Sequence, residues 1–109
     1  MWFELAKSQY KYGRRKEKQV ATHLRKKGYS VTLRKGSRGA SDLSAKKGSK
    51  KWVVQVKATR KKGKTQISPS GRRRLKVQAR KMGATPVHAS VSRGKKQYRS
   101  VRTKRKLKP

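Results

Sequence analysis

Alternation of apolar and polar residues singles out one stretch of this chain. Trp52, Val54 and Val56 alternate with Val53, Gln55 and Lys57, the period of two that marks a strand. Just upstream, Leu43 and Ala45 alternate with Asp42 and Ser44. Between the two runs lies Lys47-Gly48-Ser49-Lys50, whose Gly-Ser centre is hairpin-turn chemistry. A turn centred there sets Lys46 opposite Lys51, Ser44 opposite Val53, and Asp42 opposite Gln55. Cross-strand partners share a sheet face, with Cβ atoms roughly 5 Å apart. Lys57, two positions beyond Gln55, belongs to that face too. The spacing therefore predicts a carboxylate, an amide and an ammonium meeting at one end of a hairpin.

The remaining pattern predicts the elements around it. In the stretch from Arg14 to Lys27, Glu17, Val20, Ala21 and Leu24 fall on one helical face. Gly28 follows as a stop, with Arg25, Lys26 and Lys27 in the last turn where the helix dipole favours cations. Residues 1–12 hold Trp2, Phe3, Leu5, Tyr10 and Tyr12 and read as a short helix or aromatic arm, ended by Gly13. Packing over a thin core is the expected role of these rings, ahead of base stacking. Tyr29, Val31 and Leu33 alternate with polar residues up to Arg34, predicting a strand. Lys35-Gly36-Ser37-Arg38-Gly39-Ala40 is a basic, glycine-rich loop leading into Asp42, and a second basic loop carries Arg60, Lys61, Lys62 and Lys64.

Ser68-Pro69 is a helix start, N-cap followed by proline at the first helical position. That helix runs to Met82 with Leu75, Ala79 and Met82 on its inner face, and Gly83 closes it. Pro86 to Val91 and Lys96 to Val101 read as strands joined by Ser92-Arg93-Gly94-Lys95. Arg102 to Pro109 has no apolar pattern and is expected to be a tail, disordered in the free protein. The order is α-β-β-β-α-β-β, an α/β domain over residues 13–101 with an arm at 1–12 and a basic tail at 102–109.

Charge changes the picture. The 109 residues carry 36 Lys and Arg against 3 acids, a net charge of +33. Self-repulsion at that density opposes folding and calls for a polyanion, most simply nucleic acid. Leu, Ile, Val and Phe total 17 residues, so the core is small. There is no cysteine, which excludes disulfides, zinc fingers and thiol nucleophiles. Apolar runs such as Trp52-Val53-Val54 stop at three residues, far short of a membrane span. With no signal-peptide pattern at the start, a cytoplasmic protein associated with nucleoid or ribosome is expected. Phosphate contacts are expected from Arg14, Arg15, Lys35, Ser37, Arg38, Arg60, Lys61, Lys62, Lys64, Arg72, Arg73, Arg74, Arg102, Lys104, Arg105 and Lys106.

At Glu17, Asp42, Gln55 and Lys57 the chain resembles the PD-(D/E)xK nuclease superfamily, and within it the archaeal Holliday-junction resolvases and the Mrr-type restriction endonucleases. Gly13-Arg14-Arg15-Lys16-Glu17 is similar to the start of the resolvase helix, Ser41-Asp42 stands where the family has Pro-Asp, and Gln55-Val56-Lys57 stands where most members have Glu-x-Lys. The Mrr-type branch has Gln-x-Lys. The resemblance covers about Gly13 to Val101. It implies a restriction-endonuclease-like core, with a mixed sheet flanked by helices, and a metal-dependent endonuclease acting on branched or modified DNA. Asp42 and Gln55 would ligate Mg²⁺ (or Mn²⁺), with Glu17 a direct or water-mediated ligand and Lys57 beside the attacked phosphate. A homodimer is implied in the same way.

Structural roles compete for these residues. Glu17 suits a first-turn glutamate paired with a neighbouring Arg, and Asp42 suits a cross-strand ion pair with Lys57. Against coincidence stands a count: of 3 acids in the chain, Glu17 and Asp42 occupy two motif positions. Two functions from different classes therefore remain. One is the endonuclease; the other is a catalytically silent structural RNA-binding protein, such as a ribosomal protein, on a nuclease-like fold. The second accounts better for the charge, because an enzyme must release its product. The first accounts better for Glu17, Asp42 and Lys57, and is the reading preferred on sequence. A DNA-compacting protein would account for the charge alone.

Overall fold

The computed structural model describes residues 2–33, 41–59, 65–92 and 95–109, and of residues 2–13 the backbone alone. Its elements are α1 (Trp2–Lys26), β1 (Ser30–Leu33), β2 (Leu43–Lys47), β3 (Lys50–Thr59), α2 (Pro69–Met82), β4 (Thr85–Ser92), β5 (Lys95–Ser100) and β6 (Lys106–Leu107). The six strands form a sheet in chain order. The β3–β4 pair is parallel and every other pair antiparallel. Two parallel neighbours cannot be joined by a tight turn, and α2 is the crossover between them.

The hairpin forms as its spacing requires, with Lys46 opposite Lys51 and Ser44 opposite Val53. Gly48 has φ 58° while Ser49 stays at negative φ, the two-residue turn with glycine at the first central position that suits the twist of a hairpin. Alternation along β3 then feeds two cores. Trp52 and Val54 join Val20, Ala21 and Leu24 of α1, together with Leu43, Tyr29 and Tyr98. Val53 faces the other way, onto Ile67, Leu75, Ala79, Ala84 and Val101 around α2. The sheet is thus a divider with one helix on each face, and the α2 face carries the smaller core.

α2 starts as predicted. Ser68 accepts the Gly71 N–H, Pro69 opens the helix and Gly83 caps it. Leu75 and Ala79 are buried, but Met82 is exposed. Met82 instead lines an open recess with Ser30, Thr32, Ser44 and Lys46 of β1 and β2.

Two expectations fail. Residues 2–12 are helical, yet they are neither an arm nor a separate helix, because α1 passes through Gly13 without a break. An interior glycine costs about 1 kcal/mol relative to alanine, which a long helix docked by Val20, Ala21 and Leu24 absorbs. The tail is also not free. β6 pairs with β5, Leu107 opposite Tyr98 and Lys106 opposite Arg99, and Leu107 packs on the α1-side core. The turn before it is tied by Lys104 N–H to Ser100 O at 2.8 Å and Ser100 N–H to Arg105 O at 2.9 Å. One leucine gives no period to read, but an open β5 edge recruits it.

Candidate active site

Alternation on β3 places Gln55 and Lys57 on the α2 face, in step with Val53. Parallel pairing sets His88 beside Gln55 and Ser90 beside Lys57. Antiparallel pairing then sets Arg99 beside His88. A row Gln55–His88–Arg99 therefore crosses three strands.

Asp42 departs from the expected register. The β2–β3 ladder ends at Leu43 opposite Val54, so the cross-strand pair Asp42–Gln55 is not formed. Instead the Asp42 N–H donates to Val54 O at 2.9 Å, and its Oδ2 accepts the Val56 N–H at 2.8 Å. The side chain takes the place of a ladder carbonyl where β2 has ended and β3 runs on. Asp42 thereby brackets Gln55 through the backbone of the residues on either side.

Three charged groups converge on this carboxylate. Burial raises the Asp42 pKa, while the Val56 N–H, Lys57 and Arg14 pull it back down. Burial also raises Glu17, and the negative charge of Asp42 raises it further, opposed by Arg14. On α1, Glu17 Oε2 accepts from Arg14 Nη1 at 3.3 Å. The Arg–Glu pair expected of a structural glutamate is thus present, but so is a second carboxylate close enough to repel it. Two mutually repelling, partly desolvated carboxylates beside a lysine are more than a helix-cap arrangement needs.

The amide completes the set. Gln55 Oε1 is buried with no hydrogen-bond partner, and so is Ser41 Oγ next to Asp42. An unpartnered buried oxygen costs about 1–3 kcal/mol. A hard cation with its water shell would satisfy both atoms and relieve the carboxylate repulsion, so the donor set fits a divalent ion of the Mg²⁺ type. Among the described residues no group of three His, Cys, Asp or Glu is placed to hold a metal ion.

The expected nucleic-acid contacts divide. Arg15, Arg73, Arg74, Arg102, Lys104, Arg105 and Lys106 are exposed, while Arg14 and Arg72 are half-buried. Lys35, Ser37, Arg38, Arg60, Lys61, Lys62 and Lys64 lie outside the described residues. Thr65, His88, Ser90 and Arg99 were not anticipated. His88, Ser90 and Arg99 reach the site only through strand pairings that no local pattern reveals.

The family model for the archaeal Holliday junction resolvase (Hjc) matches residues 8–106 of the chain. Among solved structures, the Holliday junction resolvase Hjc of the archaeal hyperthermophile Archaeoglobus fulgidus is similar in fold. Its TM-score is 0.74 at 22% identity, over 82% of this chain and 77% of that one. No curated protein matches the chain.

Proposed function

This chain belongs to the archaeal Holliday junction resolvase family, and we propose that Glu17, Asp42, Gln55 and Lys57 are the site at which it cuts branched DNA. Membership makes the chain an endonuclease with a DNA substrate, and favours that reading over the RNA-binding scaffold. The observation that carries the site is the unpartnered Gln55 Oε1 between Val54 and Val56, the two residues whose backbone Asp42 binds, with the charges of Glu17 and Lys57 acting across it.

Asp42 and Gln55 would hold the divalent ion, with Glu17 behind them, and the ion would supply charge neutralisation and a more acidic bound water. The protein's own groups set the geometry. The Val56 N–H fixes the Asp42 carboxylate, and Arg14 fixes Glu17. Lys57 faces the attacked phosphate and offsets the charge that grows there during attack, the kind of preorganised electrostatic help worth about 10²–10³-fold in rate. Gln55 in place of a carboxylate leaves one negative charge fewer, so substrate phosphates would supply the remaining oxygen ligands. Mg²⁺ or Mn²⁺ suits this all-oxygen set. A homodimer would bring two such sites to a junction whose resolution needs two cuts, and sedimentation of the purified protein reads that state. Among the described residues no helix is long and apolar enough to cross a membrane.

The test uses a synthetic four-way junction with Mg²⁺ or Mn²⁺. Asp42→Asn keeps the acceptor for Val56 but removes charge, and Lys57→Ala removes the cation. Each is expected to lose at least about 10²-fold in cleavage while junction affinity stays nearly unchanged. Wild-type protein that binds the junction but never nicks it would overturn the assignment.

A further inference from the structure

Beyond the metal site, the α2 face holds a cavity of about 370 Å³ lined by Ile67, Arg72, His88, Arg99, Val101 and Lys104, among others. Its cations come from three separate elements: Arg72 from the first turn of α2, Arg99 from β5, and Lys104 from the turn before β6. Among the described residues no carboxylate lines it, and of the chain's 3 acids Glu17 and Asp42 sit at the other site. Gathering three cations around one recess without a counter-charge costs repulsion, and an anion relieves it.

The recess is built, not a chance gap between side chains. The Thr65 hydroxyl donates to Ser90 Oγ at 2.9 Å, so Thr65 Oγ1 is left to accept from His88 Nε2 at 2.9 Å. The Thr65 N–H also reaches Ser90 Oγ at 3.4 Å. This chain of bonds pins the segment before α2 to β4 and aims His88 at a fixed angle. Arg99 Nη1 donates to Lys104 O at 3.4 Å, tying the floor to the turn. Lys104 itself holds φ 60°, the one non-glycine at positive φ among the described residues. Such a conformation is strained for a residue with a Cβ and concentrates at functional positions.

We propose that this cavity is a phosphate subsite, taking a backbone phosphodiester of the same DNA strand one or two nucleotides from the cut, with Arg72, Arg99 and Lys104 as its ligands. The proposal rests on the active-site assignment for its distance. His88 is one strand from Gln55 and Arg99 is two, so Arg99 lies roughly 10 Å across the sheet from the metal site at 4.7–4.9 Å per strand. The rise of about 3.4 Å per nucleotide is measured along the helix axis and successive phosphates also turn about it, so a reach of about 10 Å spans one or two nucleotides of a strand. The subsite would thus fix which phosphate reaches Gln55, and so where the strand is cut. A free nucleotide or inorganic phosphate shares this chemistry, and the two arms of the test tell these sources apart.

The first arm needs neither metal nor cleavage, so it survives a failure of the nuclease reading. Inorganic phosphate is titrated into metal-free protein while backbone amide resonances are followed. Saturable shifts at Thr65, Arg99 and Lys104 are expected, lost in Arg99→Gln and kept in Asp42→Asn. Shifts spread evenly over all basic surfaces, or unchanged in Arg99→Gln, would overturn the subsite. The second arm replaces single phosphates of the cut strand with neutral methylphosphonates. One position one or two nucleotides from the cut is expected to weaken wild-type binding about tenfold and to leave Arg99→Gln indifferent. Uniform sensitivity at every position in both proteins would assign the cavity to free phosphate, and overturn its role on DNA. If Arg99→Gln fails to fold, judged by its amide spectrum, Arg72→Gln on the α2 side of the recess repeats both arms.

Discussion

Gly71 is where the fold and the proposed chemistry meet, and Gly71→Ala tests both. A Cβ there would lie 2.9 Å from Ile67 Cγ2, 3.1 Å from Ser68 Oγ and 3.9 Å from Gln55 Oε1. In an exposed helix the change to alanine stabilises by roughly 1 kcal/mol. Here Ile67 is buried and stiff at its branched Cβ, so it cannot swing clear. Ser68 is the N-cap and holds the Gly71 N–H at 3.1 Å, an arrangement typically worth about 1 kcal/mol. Overpacking of this kind costs about 1–3 kcal/mol. The balance is a loss of roughly 1 kcal/mol, which for a domain this size lowers Tm by about 4–8 °C. The methyl also fills the space against Gln55 Oε1, so Mn²⁺ binding should weaken several-fold. Thermal unfolding followed by circular dichroism and Mn²⁺ titration by calorimetry read the two effects. A variant that melts several degrees above wild type would refute the close approach. A less stable variant with unchanged Mn²⁺ affinity would show that Gln55 Oε1 is not a ligand.

Two further outcomes follow from pKa and packing. Burial raises Asp42 and Glu17, so their neutral forms stabilise the metal-free fold; that contribution is complete below the ordinary carboxylate pKa and is lost as pH climbs through the raised folded values. Asp42→Asn in chelator should therefore melt at or above the wild-type temperature near about pH 8, with the gap closing toward about pH 4, and a clearly lower melt at the higher pH contradicts this. Leu107 is half-buried, so Leu107→Ala should cost about 1–2 kcal/mol, a fraction of the roughly 2–5 for a fully buried leucine. Arg102→Gln and Arg105→Gln should change stability by less than about 0.5 kcal/mol while weakening DNA binding in low salt, and equal melting of all three variants would mean that β6 is not docked.

Local pattern alone determined much of this protein. The period of two in Trp52-Val53-Val54-Gln55-Val56-Lys57, the Gly48-Ser49 turn and the stripe Glu17-Val20-Ala21-Leu24 specify strand, register and helix face, because each depends only on residues near in sequence. The α2 boundaries were legible for the same reason, since Ser68, Pro69 and Gly83 act on their own turns. Gly13 and the tail were misread because their states depend on partners elsewhere: a docked α1 tolerates a glycine, and a single leucine becomes a strand only against β5. The site divides along the same line. Gln55 and Lys57 share a face by alternation, whereas the bracketing of Gln55 by Asp42 depends on where the β2 ladder ends. The row from Gln55 through His88 to Arg99 needs the parallel β3–β4 pairing, made by a crossover whose register no short stretch encodes. Tertiary structure alone therefore assembled the recess of Arg72, Arg99 and Lys104, because its cations lie on elements that meet only once the sheet is complete.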